Sequence, residues 1–67
     1  MIDKILQIAA RETGMNCFGP QRLAHVFDSL EWIEFIMVLR EEIGPLPAET
    51  AAKCDTFEDL AKAYAHV

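Results

Sequence analysis

Apolar residues recur along this chain at helical spacing, and no run alternates convincingly enough for a strand. Ile2, Ile5, Leu6 and Ala9 share one face of a first helix, with Asp3 in its first turn and Thr13-Gly14 as its stop signal. Residues 15–27 read as an irregular connection around the turn pair Gly19-Pro20. A second helix is expected from Ser29 to about Ile43. Asp28 is its N-cap, Glu31 three residues on completes a capping-box pattern, and Gly44-Pro45 ends it. Residues 47–53 allow a short third helix with proline in its first turn. Thr56 with Asp59 forms another capping-box pattern and opens a last helix that buries Phe57, Leu60, Ala61 and Tyr64. The sum is an all-α fold: a small four-helix bundle with three principal helices, one short helix and a long first loop, in one domain spanning residues 1–67.

The second helix carries more apolar surface than packing requires. Turned at about 100° per residue, Trp32, Phe35, Ile36, Leu39 and Ile43 fall on one broad face, wide enough for the core. Leu30, Ile33 and Met37 form a second stripe beside Ser29, flanked by Glu34 and Glu41 with Glu31 and Glu42 beyond them. A helix needs one apolar face to pack in a bundle. The alternative in which both stripes are core applies best to Ile33 and least to Leu30 and Met37, which neighbour the acids. The functional alternative is an exposed apolar strip rimmed by carboxylates, the anatomy of a partner-binding surface. Methionine suits a surface that must fit several partners.

Size and charge narrow the functions. A chain of 67 residues has a core worth only about 3–5 kcal/mol of net stability, which leaves little for an enclosed, strained catalytic site. Eleven acids against six lysines and arginines give a formal net charge of −5, the wrong sign for phosphate backbones or anionic membrane surfaces. A basic patch on a protein partner is the complement. Cys17 and Cys54 are too few for a disulfide scaffold and lack metal-site spacing, so they read as reduced thiols. The N-terminal residues do not form a signal-peptide pattern, and no run approaches the roughly 20 apolar residues of a membrane span. A soluble, cytoplasmic monomer is expected, with no nucleic acid, no membrane insertion and no metal.

Asp28-Ser29-Leu30 at the head of an acidic helix brings a resemblance into view. The segment from Asp28 through Ile43 closely resembles the acyl carrier protein family's Asp-Ser-Leu motif and the helix after it. Leu46-Pro47-Ala48-Glu49 and Thr56-Phe57-Glu58-Asp59-Leu60 are similar to the start of that family's third helix and to its fourth. The likeness covers residues 28–65, and the first helix in pattern alone. It implies that Ser29, flanked by Asp28 and Leu30, carries 4′-phosphopantetheine supplied from coenzyme A by a phosphopantetheinyl transferase. It further implies acyl thioesters on that arm, and loading and accepting enzymes with basic patches that meet Glu31, Ile33, Glu34, Met37 and Glu41. An acyl pocket among Trp32, Phe35, Ile36, Leu39, Ile43, Phe57 and Leu60 follows from the same likeness. Such a chain is not itself an enzyme. The helix N-terminus favours a phosphate and the acids oppose it, which suggests a mobile arm.

Four positions depart from the family's usual pattern. Val26 stands three residues before the serine where glycine is common, the first connection is several residues shorter than the family's, Trp32 sits near the mouth of the acyl cavity, and Arg40 replaces an acid. They point to a dedicated carrier in a specialised fatty-acid, polyketide or lipid pathway, with shallow sequestration of long chains. Two other readings stay open: an aminoacyl or peptidyl carrier, and an unmodified helical adaptor that binds a protein through the second helix. His25 as a base for Ser29 lacks an evident orienting acid and reads as an exposed loop histidine; His66 has no role.

Overall fold

The computed structural model describes residues 1–65; His66, given no role above, lies outside the described residues. Those residues form five helices and no strand: α1 Ile2–Thr13, α2 Leu23–Val26, α3 Ser29–Glu42, α4 Ala48–Ala52 and α5 Phe57–Ala65. The all-α class and four of the expected elements are present.

Local chemistry sets the boundaries. In α1, Ile5, Ile8 and Ala9 are buried. Thr13 ends it by donating from Oγ1 to Ala9 O at 2.7 Å while its oxygen accepts from Met15 N at 3.2 Å. Gly14 then takes a left-handed conformation, φ 72° and ψ 11°, and its N–H reaches Ala10 O at 2.8 Å. A side chain at that φ is strained, which is why the stop signal is glycine. At the other end of the chain, Thr56 Oγ1 accepts from Asp59 N at 3.2 Å, and Asp59 Oδ2 accepts from Thr56 N at 3.1 Å, the expected reciprocal cap of α5.

Two expectations are corrected. The connection at residues 15–27 is not irregular throughout, because one helical turn, α2, sits within it. Leu23, Val26 and Phe27 all become buried, and their i, i+3, i+4 spacing is the helical signal that the surrounding turn residues mask. This connection is also tied down: Leu23 N donates to Asp55 O at 2.8 Å and Glu58 N donates to Gly19 O at 3.1 Å, both at the start of α5. Pro47 is the N-cap of α4 rather than part of its first turn. Its carbonyl accepts from Ala51 N at 3.0 Å, a role that needs no proline N–H.

The core is one contiguous cluster. Ile5, Phe35, Leu39, Leu46, Phe57 and Leu60 are its most fully enclosed large side chains. Every helix contributes at least one buried residue. Phe27, Trp32, Phe35 and Phe57 form an aromatic group within it, in which Phe27 contacts all three others at ring-centroid distances of 4.5–6.1 Å. Arg11 pairs with Glu42 across α1 and α3, at the surface, where such pairs contribute little.

Candidate functional site around Ser29

Ser29 is the first residue of α3, and it is exposed. Asp28 before it is extended (φ −81°, ψ −178°) and forms the full capping box. Its Oδ1 accepts from Glu31 N at 2.8 Å, and Glu31 Oε1 accepts from Asp28 N at 3.1 Å. The box satisfies two otherwise orphaned backbone donors. It also uses the two flanking carboxylates and leaves the Ser29 hydroxyl out of the cap. The hydroxyl is therefore presented to solvent on a backbone that is fixed.

The fixing comes from both sides. Phe27, two residues upstream, is buried with its ring in the aromatic group. One turn downstream, Trp32 N donates to Asp28 O at 2.9 Å and opens the intrahelical ladder.

Beside Ser29 lies an open cleft of about 250 Å³ between α2, the head of α3 and α4. Ala24, Phe27, Trp32, Ala52 and Cys54 are among its walls. Cys54 is half-buried and donates from Sγ to Thr50 O at 3.4 Å. Burial pushes its thiol up, and the nearby Asp59 carboxylate adds to that shift. Both effects make it a weaker nucleophile than an ordinary exposed cysteine. His25, on α2, is exposed.

The other expected site residues separate into two populations. Leu30, Ile33 and Met37 are 70%, 57% and 55% exposed, which makes the second apolar stripe of α3 a surface strip starting at Ser29. Glu31, Glu34 and Glu41 are exposed as well. Phe35, Leu39, Phe57 and Leu60 are instead sealed in the core, and Ile43 is half-buried against it. Of the residues expected around an acyl chain, only Trp32 lines the cleft at Ser29. Trp32 also lines, with Ile36, a second groove of about 200 Å³ that runs between α3 and α4. Ala51 and Ala52 border both spaces.

Three participants were not anticipated from sequence: Phe27 as the anchor before the serine, Cys54 and the α4 alanines as cleft wall, and a positioning role for Arg40. Arg40 Nε donates to Leu46 O at 3.3 Å, and Tyr64 Oη donates to Gly44 O at 3.1 Å. The two side chains together hold the α3–α4 connection. Only the helical spacing of Leu23, Val26 and Phe27 could have been read in advance.

No protein-family model, curated protein or solved structure matches this chain. No helix among the described residues is long and apolar enough to cross a membrane.

Proposed function

We propose that this protein is an acyl carrier protein: Ser29 receives a 4′-phosphopantetheine arm, and acyl intermediates travel on it between partner enzymes of a specialised fatty-acid, polyketide or lipid pathway. On this reading the helices act as a four-helix bundle, with α2 as one turn inserted in the first connection, and the protein works in the cytoplasm. The observation that carries the reading is the presentation of Ser29. Its hydroxyl is exposed at the first turn of α3, outside the hydrogen-bonded cap, and opens onto a cleft.

The fit of the arm rests on these same residues. Phosphoryl transfer depends chiefly on positioning and charge stabilisation, which a transferase and its Mg²⁺ supply, so the serine needs only to be reachable. The helix N-terminus attracts the attached phosphate, while Asp28 and Glu31 oppose it. Once attached, the arm supplies a thiol for thioester formation. The chain itself contributes a recognition surface. Leu30, Ile33 and Met37 offer apolar contact, and Glu31, Glu34 and Glu41 steer a basic partner. The sealing of Phe35, Leu39, Phe57 and Leu60 in the core favours shallow cargo lying in the surface grooves over a deeply buried chain.

The exposed Leu30–Ile33–Met37 strip also suits an unmodified adaptor, and one experiment separates the two. The protein is incubated with coenzyme A, Mg²⁺ and a broad-specificity phosphopantetheinyl transferase, and its intact mass is read. A carrier gains one phosphopantetheine, and Ser29→Ala gains none while keeping its fold. Binding of a protein partner that survives Ser29→Ala, with no mass gain in the wild type, supports the adaptor instead.

A further inference from the structure

The groove between α3 and α4 has apolar walls and one charged side chain. Trp32 stands at one end of its α3 wall, Ile36 and Met37 line the middle, Ala48 and Ala51 form the α4 side, and Arg40 closes the far end. Trp32 and Arg40 are eight residues apart, about 12 Å along the helix axis. Arg40 is the only cation of α3, a helix that also holds Glu31, Glu34, Glu41 and Glu42. Among the described residues the ion pairs involve Arg11 and Arg22, and none involves Arg40. Its Nε is anchored on Leu46 O, so the fork is held at the groove with its terminal nitrogens left for another acceptor.

We propose that this groove takes an aliphatic chain ending in a carboxylate, with Arg40 binding the carboxylate. Three features select that chemistry. The walls offer almost no hydrogen-bonding side chains, so a peptide backbone would lose its solvation without return, whereas a hydrocarbon loses nothing. On the α4 side the trough is lined by Ala48, Ala51 and Ala52, whose methyl groups leave room for an unbranched chain. The single cation balances one negative charge; a phosphate, carrying −1.5 to −2, would leave excess charge on a protein already at −5. As a statement about cargo this rests on the carrier reading. The cleft at Ser29 and the groove share Trp32, so a tethered acyl chain continuing past Trp32 meets Arg40 with its far end, and the cargo is an acyl group with a free terminal carboxylate.

The groove is tested on the unmodified full chain, so the outcome does not depend on whether Ser29 accepts the arm. Amide chemical shifts are followed during titration with octanoate and with octanamide, its neutral counterpart, for the wild type, Arg40→Lys and Arg40→Gln. Both ligands should move the signals of Ile36, Met37, Ala48 and Ala51. Octanoate should bind about fivefold more tightly, as an exposed ion pair allows. That preference should survive Arg40→Lys and vanish in Arg40→Gln. Equal affinities in the wild type, shifts centred outside the groove, or no saturation by either ligand would overturn the proposal. Loading of Ser29 without an octanoate preference would retain the carrier and reject the carboxylate; the reverse result would retain the groove alone.

Discussion

Phe27 stacks on Phe35 with ring centroids 4.5 Å apart and planes inclined by 20°. The pair joins the last residue before the Asp28 cap to the middle of the core-facing side of α3. The approach to Ser29 is thereby fastened to the core while the serine itself stays in solvent. Truncating Phe27 to alanine should cost about 3–5 kcal/mol, comparable to the whole stability of so small a core. Phe27→Ala should accordingly be largely unfolded by circular dichroism at 25 °C. Phe27→Leu keeps most of the volume and should lower stability by about 1 kcal/mol in urea titration. A fully stable Phe27→Ala would remove this residue from the argument.

Acid should destabilise the protein partly through Asp59. The backbone N–H groups of Asp55 and Thr56 donate to its Oδ2 at 2.9 and 3.1 Å and hold its carboxyl below the usual range. A lowered folded value means that the stabilisation is present above the unfolded value of about 3.9 and is lost as pH falls through the folded one. Asp59→Asn should lower stability at pH 7 and flatten that part of the acid limb. Urea midpoints at a series of pH values between 2 and 6 check both. An unchanged acid limb in the variant contradicts the assignment.

Tyr64 bears on the opposite limb. Burial raises its phenol, with Arg40 acting against that shift, and its hydroxyl donates to Gly44 O. A raised folded value gives stability that is intact below the unfolded value of about 10 and lost as pH rises past it. Tyr64→Phe removes the hydrogen bond at a cost of about 1 kcal/mol. It should also reduce the alkaline loss of stability, followed by thermal melts from pH 8 to 11.

The parts legible in sequence are those set by local chemistry. The Asp28–Glu31 and Thr56–Asp59 boxes place two helix starts to the residue, and Gly14 places an end. The two faces of α3 were separable by angle alone, and the stripe of Leu30, Ile33 and Met37 is exposed. What stayed hidden depends on tertiary contact. The α2 turn is only four residues long, too short to be stable by propensity, and it forms because Leu23, Val26 and Phe27 find the core. The hydrogen bond of the exposed Arg40 was hidden because its acceptor is a backbone carbonyl six residues away, which no side-chain pattern records. The cleft walls at Ala52 and Cys54 come from an element distant in sequence and could not be paired with Ser29 beforehand.

The role of Ser29 is read most directly on the protein as its own cells make it. Intact-mass measurement of the purified protein, followed by fragmentation of the peptide containing Asp28-Ser29-Leu30, reads the modification and its position together. A carrier gives a population heavier than the sequence by one phosphopantetheine, with the added mass on Ser29. A protein that bears the mass of its sequence alone in every growth phase, or an arm on another residue, would contradict that role.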